Sequence, residues 1–545
     1  MKAPFVIAII PAKNESTRLP GKNVSTVLGK PLLVHTIESA KRCSWIQDVY
    51  VSTDSTDIAD LAKQNGAQVV MRSHDLGGET PIVDVYRHAL LSIHDDRVTH
   101  VVGLQPDHPD RTCDLGIVIS YVVEKNVEDV MSVDNEGNKN GSLRILKADA
   151  LRNNRISVYA STIRDNATNV HTLRDLRFAE VRLDRKNKPL EIVIKNKIIS
   201  KTSPTFIVAE GACNHMCDIS LAKKIIDEAE QAGADAVKFQ TYKAERLVSK
   251  EVQSYWNYGT NISQYQYYKN LDKFDQSEYR ILFNYAKTKS VVVFSTPFDI
   301  QSAEMLHELG MPLFKVASCS ITDLRLIKRM ASFRKPIILS TGGSDLTEIE
   351  EAVETVYATG NSQLIILACS LSYPTKPEDA NLLKIRRLTE RFPEAIIGLS
   401  DHTEPDEFMV IPSVAVGLGA KVIEKHFTLD RTMTGSGHAF SVDPISLKKM
   451  VTNIRVAEKI LGSENLHVRD AEQKARENAR FSIVASHDLR RGTVLKEEDL
   501  SLKRPGTGML PKYFDLLIGK PLLRDLKGDE PLAWKDVDHD TALST

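Results

Sequence analysis

Residues 395–403 read AIIGLSDHT, and residues 420–430 read AKVIEKHFTLD. Each is a short apolar run that stops abruptly at polar residues, and each stop holds a histidine: His402 in the first, His426 in the second. Runs of the same kind begin after Thr205. FIVAE (206–210), AVKFQ (236–240), VVVFST (291–296), LFKVAS (313–318), PIILST (336–341) and LIILACS (364–370) precede the two. Apolar residues without alternation are what strands covered on both faces require. Stretches of helical period separate them, among them DISLAKKIIDEAEQAGA (218–234) and DLTEIEEAVETVYATG (345–360), and an eighth, DPISLKKMVTNIRVAEKILG (443–462), follows the last strand. Eight β/α units over about 265 residues predict a (β/α)8 barrel.

In such barrels the chemistry collects where the strands end. Those ends hold Glu210, Lys238 and Gln240, Ser295 and Thr296, Lys315 and Ser318, and Ser340 and Thr341. Ser370 and Tyr373, Asp401 and His402, and Glu424, Lys425 and His426 complete the ring. Three lysines facing one mouth imply a polyanionic substrate, most simply a phosphate or a carboxylate. His402 and His426 leave adjacent strands at equivalent heights, so one divalent metal could sit between them with open positions for a substrate oxygen. The plainer reading is that each imidazole hydrogen-bonds a loop carbonyl.

The rest of the chain sets bounds. At 545 residues it is too long for one core. With 26% charged and 42% hydrophobic residues and a formal net charge of −1, it has an ordinary soluble composition with no pull toward nucleic acid. No apolar stretch reaches the ~20 residues that span a bilayer. The opening MKAPFVIAIIPAKNES is broken at Pro11 and lacks a small-residue cleavage site, so a first strand is expected and not a signal peptide. The six cysteines, at 43, 113, 213, 217, 319 and 369, include one close pair and no second to match it, which reads as reduced thiols of a cytoplasmic enzyme and not a zinc site. Residues 1–190 open with strand–loop–helix alternation, predicting a doubly wound α/β domain with parallel strands. RLDRKNKPLEIVIKNKIISKTSP (182–204) reads as a connecting strand and linker, with the linker placed at 191–204, the barrel at 205–474 and a small β-rich module at 475–545.

The pieces AEGACNH, VKFQ, STPF, FKVAS, LSTGG, SYPT, GLSDHT, EKHFTLDRTM and, in the tail, KRPGTG together resemble the sialic acid synthase family, across residues 205–540. That resemblance implies condensation of phosphoenolpyruvate with an N-acylated hexosamine, giving a nine-carbon 3-deoxy-2-keto acid. It implies that Lys315, Ser318 and Ser340 hold phosphoenolpyruvate, that Glu210, Lys238, Gln240 and Tyr373 contact the amino sugar, and that Thr296 and Ser400 also line the substrate site. Glu210, Lys315, His402 and His426 are the implied catalytic set, with His402 and His426 binding Mn²⁺ or Mg²⁺. The tail resembles the family's antifreeze-like (SAF) domain, which implies a domain-swapped homodimer or higher homo-oligomer in which Arg504 reaches a second chain's site. The chain departs from the family's pattern at Ser320, where an acidic residue is usual, at Leu371, where Asn is usual, and at Gly437, where Asp is common. These departures leave the choice of sugar open.

IIPAKNESTRLPGKN (9–23) places Lys13, Arg18, Gly21 and Lys22 in a loop after the first strand of a parallel sheet, a position suited to a nucleotide triphosphate. With VYVSTDS and GLQPDHPDRT, which put Asp54, Gln105 and Asp107 at strand ends, these stretches resemble the cytidylyltransferases that activate 3-deoxy keto-sugar acids as CMP conjugates. The resemblance implies that Lys13, Arg18, Lys22, Arg72 and Gln105 bind CTP, with Mg²⁺ at Asp107. Where that family has aspartates in a DxDT pattern, this chain has Asn169 and His171, and the stretch between Arg111 and Asn169 is shorter than in its relatives. The leading expectation is a bifunctional cytoplasmic enzyme whose barrel makes a nonulosonic acid and whose N-terminal domain loads it onto CMP. A Schiff-base aldolase using Lys238, Lys315 or Lys425, and a synthase with a non-catalytic nucleotide- or sugar-binding domain, stand as alternatives. The partners expected are small molecules, with neither nucleic acid nor membrane.

Overall fold

The computed structural model describes residues 4–14, 19–76, 80–134, 136–156, 159–186, 190–254, 256 and 262–538; Arg18 lies outside them. Among the described residues no helix is long and apolar enough to cross a membrane. The chain forms two compact units, Met1–Leu461 and Gly462–Thr545.

The eight apolar runs are eight parallel strands: Phe206–Ala212, Ala236–Thr241, Val292–Pro297, Phe314–Val316, Ile337–Ser340, Leu364–Cys369, Ile396–Asp401 and Val422–His426. They pair in chain order, and the first pairs with the eighth, so the sheet curls into a barrel whose two edges are the third and fourth strands. The helices between them follow from local chemistry. Ile219–Ala232 starts at Asp218, whose carboxylate accepts from the Ser220 and Leu221 amides, and stops at Gly233 with φ 90°. Its Ala222, Ile225, Ile226 and Ala229 are buried on the barrel side.

The segment expected as one connecting strand is a hairpin, Glu191–Ile194 against Lys197–Ser200, because the chain reverses at Lys195 in the left-handed region (φ 54°). It buries Ile192, Ile194 and Ile199 in the barrel core. Lys197 pairs at 2.8 Å with Asp235, just ahead of the second strand, so the hairpin closes the end opposite the polar ring.

The N-terminal domain has seven strands in the order Gln68–Met71, Ile46–Thr53, Val6–Pro11, His100–Gly103, Lys139–Lys147, Asp129–Val133, Ser161–Arg164. The first four are parallel, as expected; Lys139–Lys147 is antiparallel to both neighbours. It follows Asp129–Val133 through a tight turn closed by Asp134 and Gly137 (φ 87°), which leaves no residues for a crossover helix. Separate apolar clusters cover the two faces, one around Leu33, Ile37 and Ile119, the other around Ile7, Tyr86 and Leu90. The helix Leu173–Lys186 then seats the domain on the barrel: Phe178 meets Tyr357 edge-on at 5.8 Å, and Arg182 reaches Glu394 at 3.4 Å and the Arg391 carbonyl at 3.0 Å.

The C-terminal unit begins with the helix Asp470–Ala479, which runs across the expected 474/475 boundary, and continues with Ser482–Ala485 paired antiparallel to Leu500–Lys503. Its own core gathers Ile483, Leu495, Leu517, Leu522 and Leu532.

Candidate active site

The barrel brings the ionisable strand ends into one buried cluster. Glu210 and Lys238 are register partners on the first two strands, and their side chains form an ion pair. Lys238 also donates to Thr296 Oγ1 at 3.1 Å and lies 3.5 Å from Glu424. Glu424 accepts from Ser400 Oγ at 3.1 Å and lies 3.8 Å from Lys315, which donates to Ser340 Oγ at 2.7 Å. Gln240 Nε2 donates to Glu210 Oε1 at 3.2 Å. Two carboxylates and two ammonium groups thus alternate in near-complete burial, each compensating its neighbours.

Burial pushes Glu210 up to about 7, with Glu424 adding to the rise and Lys238 opposing it. Burial works against the charge of Lys238, but Glu210 and Glu424 outweigh it and hold the ammonium above its usual range. Lys315 is lowered by burial and by Lys238. Glu424 stays below its usual range, because Lys238, Lys315 and His402 overcome burial. The site therefore pairs one carboxyl poised near neutrality with one held ionised.

His402 and His426 stand beside this cluster with ring centroids 5.3 Å apart. His402 Nδ1 lies 2.8 Å from the Ser370 carbonyl, which can only accept, so Nδ1 holds a proton and Nε2 is the ring nitrogen left to ligate. Burial disfavours the ring's charge, but Cys369, this carbonyl and Glu424 outweigh it and raise it above the usual imidazole range. His426 Nδ1 is buried with no hydrogen-bond partner among the described residues, and burial followed by His402 keeps this imidazole neutral. One imidazole oriented by a carbonyl and a second, neutral one with an orphaned nitrogen fit a divalent cation. Tyr373 lies 4.3 Å from the His402 ring, and Phe440 5.0 Å from His426. Ser318 Oγ accepts from the Gly342 amide at 3.0 Å; a Cβ on Gly342 would fall 2.9 Å from that oxygen, so the turn after Ser340 needs glycine.

The mouth opens into a cavity of about 120 Å³ whose walls include Gln240, Ser318, Tyr373 and His426. Leu371 and Gly437, two of the three departures from the family pattern, line it, and the third, Ser320, follows the lining residue Cys319. Sequence reading missed Glu424's place between two lysines, and it missed the aromatic wall of Tyr242, Trp256, Tyr267, Tyr268 and Phe298. Its one signal was aromatic density in QYQYYKN (264–270). Lys425, the remaining mouth lysine, is spent on Asp401 at 2.7 Å. Arg504 belongs to the C-terminal unit, where it is exposed with its guanidinium 5.6 Å from the Phe481 ring centroid.

In the N-terminal domain Lys13, Arg72 and Gln105 follow the carboxyl ends of parallel strands. The strand order reverses between Val6–Pro11 and His100–Gly103, which makes that crevice a ligand position. Asp107 lies there, but one carboxylate oxygen accepts from Lys22 at 2.6 Å and the other lies 2.9 Å from His108 Nδ1. Those partners overcome burial and hold it well below the usual carboxylate range. Val170, between Asn169 and His171, donates its amide to the Asp107 carbonyl at 2.9 Å. A single carboxylate already engaged at both oxygens, with Asn169 and His171 in place of aspartates, does not fit a magnesium–triphosphate site.

Residues 225–466 match the NeuB family model, residues 7–111 a cytidylyltransferase model and residues 480–538 an SAF domain model. An N,N'-diacetyllegionaminic acid synthase of Legionella pneumophila is 38% identical over 61% of this chain and 94% of its own length. A pseudaminic acid synthase of Helicobacter pylori is 35% identical over 62% of this chain and 98% of its own length. A spore coat polysaccharide biosynthesis protein E from Chromobacterium violaceum, solved by crystallography, shares the fold with a TM-score of 0.53 at 24% identity, over 62% of this chain and all of the other.

Proposed function

Because the chain belongs to the NeuB family, and the relatives similar to it include acid synthases, we propose that its barrel condenses phosphoenolpyruvate with an N-acylated hexosamine to give a nine-carbon 3-deoxy-2-keto acid and phosphate. The observation that supports this most directly is the alternating Glu210–Lys238–Glu424–Lys315 cluster beside His402 and His426 at one barrel mouth.

Lys315, with Ser318 and Ser340, holds the anionic groups of phosphoenolpyruvate, and an arriving anion favours the charged ammonium that burial disfavours. Tyr373 and Gln240 orient the sugar so that its carbonyl carbon faces the enol carbon. The new carbon–carbon bond draws the enol π electrons; the sugar oxygen gains a proton, for which Glu210, poised near neutrality, is the donor. Water then adds to the resulting oxocarbenium carbon and the carbon–oxygen bond to phosphate breaks. A divalent cation held by His402 and His426 would supply Lewis acidity at the sugar carbonyl. In the N-terminal domain the proposal stops at CTP binding through Lys13, Lys22, Arg72 and Gln105, since Asp107 is already held by Lys22 and His108.

Lowering of Lys315 by burial also suits a Schiff base. One experiment separates the readings: incubate the chain with phosphoenolpyruvate, Mn²⁺, CTP and a panel of N-acyl hexosamines, and follow phosphate and product mass. Phosphate release that EDTA abolishes, and that His426→Ala lowers by roughly 100-fold or more, is expected. Borohydride trapping of pyruvate on a lysine, with no phosphate released, would overturn the proposal.

A further inference from the structure

The described residues hold a second, larger cavity of about 570 Å³, where the N-terminal domain meets the barrel. One wall is the segment Asn166–Asn169 with Thr172 and Arg174; the other is made by barrel helices Leu346–Ala358 and Lys384–Arg391, through Glu350, Arg387 and Arg391. Its volume lies within the range of about 300–1,000 Å³ usual for pockets that enclose small ligands.

Its chemistry is selective. Four arginines line it, Arg174, Arg182, Arg387 and Arg391, and five carboxylates stand among them. A triphosphate would meet more acid than base there. A ligand with one carboxylate and many hydroxyls would meet what it needs: guanidinium forks for the acid, carboxylate and amide oxygens for the hydroxyls. One acceptor is left unsatisfied: Asn169 Oδ1 is buried with no hydrogen-bond partner among the described residues, while Arg174 Nη2 on the same wall makes no hydrogen bond and lies 3.8 Å from Glu350. Arg174 is held in place through Nε, which meets Glu354 at 2.9 Å, and Arg391 through Nε, which meets Glu350 at 2.6 Å, so the forks are pre-organised.

The wall is also tied to the nucleotide crevice. Thr168 donates twice to Asp110, through its amide at 2.8 Å and its hydroxyl at 2.7 Å, and the next turn of chain donates from Val170 to Asp107. Arg182 spans from the Asn166 carbonyl at 3.1 Å to the Arg391 carbonyl at 3.0 Å, fixing domain to barrel across the cavity. Barrel helices supply the wall that faces the segment Asn166–Asn169.

We propose that this cavity is a binding site for a polyhydroxylated sugar monocarboxylate, completed in cis by the barrel. That the ligand is the barrel's own product rests on the function proposed above; the site's preference for a sugar acid does not.

The test titrates the full chain calorimetrically with N-acetylneuraminic acid as the probe, and with N-acetylglucosamine as a neutral control. The acid binds at one site per chain and the neutral sugar does not. Arg174→Ala and, independently, Asn169→Leu each weaken the acid at least tenfold, while phosphate release from phosphoenolpyruvate and the thermal midpoint stay as in the wild type. Binding of the acid that neither substitution alters would place it in the barrel mouth and overturn the proposal, as would equal binding of the neutral sugar. Absence of phosphate release with every hexosamine would sink the proposed reaction and leave the titration to be judged alone.

Discussion

Lys238 shows how much of the barrel mouth depends on one charge. It lies against Glu210, Glu424 and Thr296, with almost no water to replace it. Replacing it by Met keeps the volume and leaves two buried carboxylates facing each other. Lys238→Met is expected to cost about 3–5 kcal/mol of stability, read as a lower urea midpoint with an unchanged slope. Glu210→Gln removes one of those carboxylates as well, so the double variant should recover part of the loss. The residue types at this mouth were legible because strands covered on both faces leave polar side chains only at their ends. Glu424's partners were not legible. They depend on the first strand pairing with the eighth and on the second lying beyond it, a closure that no local pattern encodes. The aromatic wall was hidden for a different reason: Tyr242, Tyr267, Tyr268 and Phe298 come from loops and a short helix with no strand or helix period to mark them.

At the scale of elements, the hairpin Glu191–Ile194/Lys197–Ser200 is the part sequence reading under-resolved. EIVI alternates exposed and buried, and in KIIS Ile198 faces out and Ile199 in, yet the Lys195–Asn196 reversal between them holds neither glycine nor proline, so the run looks continuous. Its buried isoleucines stopper the barrel floor. Ile199→Ala is expected to cost about 2–5 kcal/mol, measured by denaturant unfolding, whereas exposed Ile198→Ala on the opposite face should change little. A second element rests on one carboxylate. Asp165, after the strand Ser161–Arg164, accepts from the Thr112 amide at 2.7 Å, the Thr112 hydroxyl at 2.6 Å and the Ser142 hydroxyl. Burial alone would favour its protonated form, and these donors with Arg111 outweigh it, so its acidity is increased on folding. A carboxylate lowered in this way contributes stability that is complete above the unfolded value of about 3.9 and lost as pH falls through the folded one. Thermal midpoints of the wild type and Asp165→Asn should therefore differ most above about pH 4 and converge in more acid solution.

For the whole molecule, the match of residues 480–538 to an SAF domain model gives the C-terminal unit an identity beyond a bland β-module. That unit has a core of its own and was legible as a separate body from its short strands and glycine turns. No pattern within one chain encodes whether its exposed Arg504 serves a second copy. If Arg504 reaches the substrate of a second copy, each active site is shared between two chains, and the arrangement can be tested by mixing two inactive variants. His426→Ala spoils the barrel and leaves the arm; Arg504→Ala spoils the arm and leaves the barrel. In a dimer that exchanges freely, half of the molecules become mixed, and each mixed dimer regains one intact site, the barrel of one chain with the arm of the other. The expected recovery is about a quarter of wild-type phosphate release. Were the arm to serve its own barrel, the one chain with working histidines would still lack its arginine, and mixing would restore nothing. Size-exclusion chromatography of each variant alone supplies the control, since both must keep the wild-type assembly for the comparison to report on the site.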